Sequence, residues 1–195
     1  MDYELAASTQ RRQRYHHGDL RRDLLRVARE EIARSGADGL TLAVLAKRIG
    51  VSQPAPYRHF ADRQALLQAV AAEAFEELTR CLSEAASREA SPGEAVLTLA
   101  LAYLTFGEAN IERYRLMFAS GLTPQAEGGT ALARGAEGAL DLLRQAVRKD
   151  ADVTSDSEPD RHVYAVWAQL HGFVMLKADG FITSPLGSYV PILRQ

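Results

Sequence analysis

The chain has 195 residues, 47% of them apolar and 25% charged, with 14 Gly and 7 Pro; this composition excludes a disordered, collagen-like or low-complexity chain. Its formal charge of −2 at pH 7 excludes a uniformly basic nucleic-acid binder. The average covers a split, because residues 1–68 hold 12 Lys and Arg against 8 Asp and Glu, whereas residues 69–195 hold 11 against 17.

Cys81 is the one cysteine, so an intrachain disulfide and a cysteine zinc cluster are both excluded. It reads as a small packing residue rather than a redox sensor. The polar start and the absence of an apolar run of about 18 residues predict a soluble, cytoplasmic protein with no membrane contact.

Ala, Leu, Arg and Glu dominate and no stretch alternates β-branched residues between turn signals, which predicts an all-α fold. Residues 1–14, with Arg11, Arg12 and Arg14, read as a flexible basic arm. A first helix fits 19–34, where Leu20, Leu24, Val27, Ala28 and Ile32 share one face, Asp19 and Asp23 favour the positive end and Gly36 stops the helix. Thr41 then caps a two-turn helix with Leu42, Leu45, Ala46 and Ile49 inward and Lys47 and Arg48 outward. Gly50 supplies a left-handed stop, and Ser52 begins a second helix at Ser52 or Gln53, with Pro54 and Pro56 in a first turn whose amides need no partner. Two short helices meeting sharply over the small Ala46 predict a helix-turn-helix.

Asp62 caps the next helix, which carries Leu66, Leu67, Val70, Ala74, Phe75 and Leu78 toward Ala85. Further helices are predicted from Pro92 to Ala109, from Ile111 to Ala119 and from Leu132 to Val147, with a loop over 121–129 and a polar linker over 151–160. Residues 161–178 are apolar nearly all round, so that helix needs cover on two sides, from its own core and from a partner chain. Pro185 and Pro191 leave room only for a short last helix.

The segment Thr41–Phe60 reads either as a helical corner in a core or as a DNA reader. Its exposed positions, Gln53, Tyr57, Arg58 and His59 beside Lys47, Arg48 and Arg63, favour the reader: polar groups that bond base edges are flanked by partners for phosphate. YHHGDLRRDLL (Tyr15–Leu25), the Thr41–Phe60 segment and ADRQALLQAV (Ala61–Val70) together resemble the N-terminal DNA-binding domain of TetR-family transcriptional regulators. The resemblance implies that Tyr57 and His59 contact the DNA backbone, that Gln53, Ala55 and Arg58 lie near bases, and that Arg63 approaches a phosphate. Thr41, Lys47, Arg48, Ser52 and Pro54 complete the candidate DNA-binding set. The chain departs from the family pattern at Pro56 before Tyr57 and at Arg63, where lysine is usual. WAQLHG (Trp167–Gly172) and ANIERYRLMF (Ala109–Phe118) resemble the C-terminal WHG-type domain of one branch of the family.

The expected protein is therefore a homodimeric, ligand-responsive regulator with a DNA-binding domain over 15–62 and a helical effector-binding and dimerisation domain over 63–195. It would bind double-stranded, near-palindromic operator DNA and be released by a small hydrophobic or aromatic effector. Repression released by ligand is the family's usual sense; activation or co-repression stays open. Tyr103, Phe106, Tyr114, Met117, Phe118, Trp167, His171 and Met175 read as core, several of them able to line an apolar pocket with a few polar tips. Val163, Val166, Leu170, Gly172 and Val174 are expected at the dimer interface. No cofactor or metal is expected. His16 and His17 point apart without a third ligand, His162 and His171 are not at helix-face spacing, and the acidic stretch from Asp150 to Asp160 lacks the glycine and terminal acid of a calcium loop. An enzyme using His171 would leave the basic N-terminal part unexplained, and no nucleophile elbow, Walker or dinucleotide motif occurs.

Overall fold

A computed structural model of the chain describes residues 20–88, 93–119, 130–150 and 159–194. The described residues form α1 (Leu20–Ser35), α2 (Leu42–Ile49), a 3-10 turn (Pro56–Arg58), α3 (Arg63–Ala86), α4 (Ala95–Ala109), α5 (Ile111–Met117), α6 (Ala131–Asp150), α7 (Pro159–Ala178) and a C-terminal 3-10 segment (Leu186–Arg194). No strand occurs among them. The basic arm, Pro92, the loop over 121–129 and most of the polar linker lie outside the described residues.

The helix boundaries follow their caps. Thr41 Oγ1 accepts from the Val44 amide at 3.1 Å and Asp62 Oδ1 from the Ala65 amide at 2.8 Å, each satisfying a first-turn donor that the helix cannot. Gly36, at φ 74°, closes α1. Gly50 sits at φ 80° and sends its amide, with that of Val51, back to the Ala46 carbonyl, so α2 ends in the predicted left-handed turn. Asp150 at the end of α6 accepts from the Ala95 and Val96 amides at 3.0 and 2.7 Å, capping α4 from a distant part of the chain. Asp160 was expected in the linker but lies in the first turn of α7, where a carboxylate suits the positive helix end.

The second helix of the helix-turn-helix departs from expectation. In place of an α-helix from Ser52 there is a tight turn in which Ala55 N–H donates to Ser52 O at 3.0 Å and His59 N–H to Pro56 O at 2.9 Å. Pro56 has no amide hydrogen for the bond that an α-helix begun at Ser52 would send back to the Ser52 carbonyl, and the Ala55 amide takes that carbonyl instead, so the segment closes over three residues rather than four. Pro56 is buried, and the turn packs on α1 and α2, which together with it and the start of α3 form the head of the molecule.

α3 is the axis of the molecule, packing on α1 at one end and on α4, α5 and α6 along its length. One continuous apolar core runs from Leu24 and Leu45 in the head through Leu66, Phe75 and Leu99 to Leu170 and Leu186. Two close approaches depend on glycine. A Cβ at Gly107 would stand 2.6 Å from Val174 Cγ2, and one at Gly135 would stand 2.7 Å from Phe75 Cβ. These positions let α4 meet α7 and α6 meet α3.

Candidate nucleic-acid interface and effector cavity

Lys47, Ser52, Gln53, Pro54, Tyr57, Arg58 and His59 are exposed on one end of the head, and Tyr57 keeps 55% of its surface open to solvent. Ala55 is half-buried beneath them. The Thr41 hydroxyl is engaged by the Val44 amide, so its contribution here is to cap α2.

Two basic residues of the candidate set are tied into the fold. Arg63 donates from Nε to Leu40 O at 2.8 Å and from a terminal nitrogen to Ala37 O at 2.7 Å. Its guanidinium therefore satisfies the carbonyls of the turn between α1 and α2 and clamps that turn to the start of α3. The Arg48 guanidinium pairs with the carboxylate of Glu31, which also accepts from Arg34 at 2.9 Å. Glu31 is an acid buried on the inner face of α1, held below the usual carboxylate range by the Arg34 hydrogen bond and then by the charges of Arg34 and Arg48. Sequence reading missed Glu31, whose signal, an acid among apolar neighbours with Arg34 one turn on, is common on solvated helices.

In the body a cavity lies between α3, α4, α6 and α7. Phe75, Leu78 and Leu82 line it from α3, Leu99 and Tyr103 from α4, Ala136, Ala139, Leu140 and Leu143 from α6, and Trp167 and Leu170 from α7, with Phe118 beyond the end of α5. The volume open to the centre of a water molecule is about 20 Å³, room for a water or two rather than a ligand. Of the candidate ligand residues, Tyr103, Phe118 and Trp167 line this space. Phe106, Tyr114 and Met117 are buried in the surrounding core, and His171 and Met175 are half-buried. The α6 residues escaped the sequence reading, although Ala136, Ala139, Leu140 and Leu143 follow one helix face; small alanines opposite a tryptophan leave the gap.

The polar tips of this set are joined to one another. Trp167 Nε1–H, which can only donate, reaches Tyr103 Oη at 3.1 Å; the Tyr103 and Tyr114 hydroxyls are 2.7 Å apart; and the Tyr114 hydroxyl is 2.8 Å from His171 Nδ1. The Trp167 N–H and both tyrosine O–H groups have an acceptor when Tyr103 donates to Tyr114 and Tyr114 donates to His171 Nδ1, which requires the neutral Nε2–H imidazole. Burial acts in the same direction by lowering the His171 pKa, and it pushes the Tyr103 hydroxyl up to about 12 and that of Tyr114 higher still.

The expected dimer residues divide by helix face. Val163, Leu170 and Val174 are buried within the chain, Leu170 at the cavity and Val174 against Gly107, so the placement of these three at a partner surface is corrected. Val166 is half-buried and packs inward. Gly172 has open space beside it and belongs to the other face, where Tyr164, Ala165, Ala168, Gln169 and Leu176 are exposed at helical spacing. Among the described residues no helix is long and apolar enough to cross a membrane.

Comparison with known proteins bears on this arrangement. Residues 24–70 match the family described as bacterial regulatory proteins, tetR family, and residues 96–188 match the tetracyclin repressor-like C-terminal domain. The class A tetracycline repressor of Escherichia coli is 48% identical over 48 residues, 25% of this chain and 22% of that protein. An uncharacterized HTH-type transcriptional regulator of Mycobacterium tuberculosis is 28% identical over 155 residues. That alignment covers 75% of this chain and 65% of the relative, so the chain spans less than two thirds of either protein's length. A solved structure of a protein of unknown function from Rhodococcus sp. RHA1 superposes with a TM-score of 0.77 at 33% identity, covering 93% of this chain and 95% of its own. With both halves matched in order and the helix-turn-helix at the N-terminal end of a helical body, the chain belongs to the TetR family of bacterial transcriptional regulators.

Proposed function

We propose that the protein is a repressor that binds a near-palindromic operator as a homodimer and releases it when a small, largely hydrophobic or aromatic effector enters the body. The observation that carries this reading is the exposed Gln53–His59 turn, fixed by buried Pro56 and the Arg63 clamp. Gln53 and Arg58 offer donors for base edges, Arg58 in the fork geometry that suits guanine, while Tyr57, His59 and Lys47 reach phosphates. A turn this short reads few base pairs, so a second copy is needed for useful specificity. The exposed α7 face from Tyr164 to Leu176 supports a two-fold helix pairing, because small residues at Ala165, Ala168 and Gly172 allow close approach.

Effector and DNA are coupled through α5 and α3. Tyr114 on α5 belongs to the hydrogen-bonded chain beside the cavity, while Glu112 on the same helix lies 3.2 Å from where a Cβ of Gly36 would be, at the end of α1. Arg113 joins α5 to Glu77 of α3 at 2.7 Å. A ligand that favours a shifted α5 lowers operator affinity, and DNA lowers ligand affinity by the same factor. The test is selection of duplexes from a random pool by the purified protein. A palindromic consensus, bound with affinity that falls steeply as salt rises, is expected; no enrichment, or affinity indifferent to salt, would overturn the reading.

A further inference from the structure

The ring of Phe118 is enclosed by four others. Its centroid is 4.5 Å from that of His171, 4.9 Å from Tyr114, 5.5 Å from Phe75 and 6.2 Å from Trp167, at inclinations between 49° and 74°. These edge-on and tilted placements are the ones aromatic rings prefer, because the positive edge of one meets the negative face of another. Phe118 is nevertheless only half-buried, and it stands just past Met117, the last residue of α5. Its backbone is held there by the end-of-helix bond of its amide to Arg115 O at 3.3 Å, so the side chain can leave without breaking a regular helix. The ring also forms one wall of the cavity, whose own free space holds no more than a water or two.

We propose that Phe118 occupies the place of the effector's ring, and that the ligand is an uncharged aromatic compound that displaces Phe118 from among Phe75, Tyr114, Trp167 and His171. This rests on the effector reading above and names its chemical class. The described residues lining the cavity carry no charged group, so a carboxylate entering it would give up its hydration without meeting an opposite charge. The polar atoms at the wall, the Tyr103 hydroxyl and Trp167 Nε1, are already bonded to each other. An aliphatic ring fills the volume but lacks the edge and face that the surrounding rings address.

Trp167 is the only tryptophan in the chain and reports on the site by fluorescence. The experiment titrates the full-length protein with toluene, methylcyclohexane and benzoate, following Trp167 emission and the melting temperature. In the wild type, toluene is expected to bind at least tenfold more tightly than either of the others. Phe118→Ala, which removes the built-in occupant, is expected to bind toluene at least tenfold more tightly than wild type. Phe106→Ala, a buried ring removed away from the cavity, controls for the gain any new void would give and is expected to leave toluene affinity within threefold. Equal binding of methylcyclohexane or benzoate in the wild type overturns the proposal whether or not the variants fold, as does a gain in Phe106→Ala matching that in Phe118→Ala. Toluene binding in the expected order without release of the selected operator duplex would support the Phe118 site and overturn the effector reading instead.

Discussion

Arg58 and Arg63 carry the same charge on the same end of the molecule, yet they do different work. Arg58 is exposed on the Gln53–His59 turn, while Arg63 spends its donors on the carbonyls of Ala37 and Leu40. Arg63→Ala is therefore expected to lower stability, on the order of 2 kcal/mol for lost charge-assisted bonds to partly buried carbonyls, seen as an earlier urea midpoint. Arg58→Ala is expected to leave that midpoint in place and to weaken specific DNA binding by about 1–3 kcal/mol. A second residue-scale consequence comes from His171. Its pKa is lowered in the folded protein, so between about pH 7.5 and 5.5 the unfolded chain takes up protons first and stability falls as pH falls. The stabilisation is fully present above the unfolded value and is lost as pH drops through and below it. Melting curves across that range should show the fall, and His171→Gln should flatten it; a melting temperature that rises on acidification would contradict the neutral imidazole.

Among the elements, those whose ends are written in caps were the most legible. Thr41, Gly50 and Asp62 set the limits of α2 and the start of α3, because a cap is a local bond that the sequence displays directly. The Ser52–His59 segment was not legible in the same way. Two prolines in a first turn are compatible with an α-helix, but with Pro56 buried against the head the chain settles into a 3-10 turn. α7 misled for a further reason: it is apolar nearly all round, so periodicity could not say which stripe meets the core. Packing decides it through Gly107, whose missing side chain admits Val174 and turns Val163 and Leu170 inward. Gly107→Ala should force Val174 aside and cost about 1–3 kcal/mol, measured by chemical denaturation. A variant as stable as the parent would mean that α4 and α7 do not meet at this point. The cavity lies between these outcomes, since bulky aromatic residues announced an apolar site but the alanines of α6 that leave its space looked like ordinary helix formers.

For the molecule as a whole, the continuous core joins the head to the body, and α3 belongs to both. Reading a two-fold operator takes two such molecules, and the proposed pairing runs through the exposed face of α7. Ala168→Glu places a charge on that face without disturbing the buried side, so it should give folded monomers by sedimentation. Val174→Glu buries an unpaired charge against Gly107 and should give misfolded protein. The most direct test of two copies reading one two-fold operator is native mass spectrometry of the selected duplex with wild-type protein, paired with an anisotropy titration of the same duplex with one half-site scrambled. Two chains are expected on the intact duplex, with an affinity at least a hundredfold weaker on the scrambled one; a single chain per intact duplex, with affinity unchanged by scrambling, would rule out the two-fold dimer.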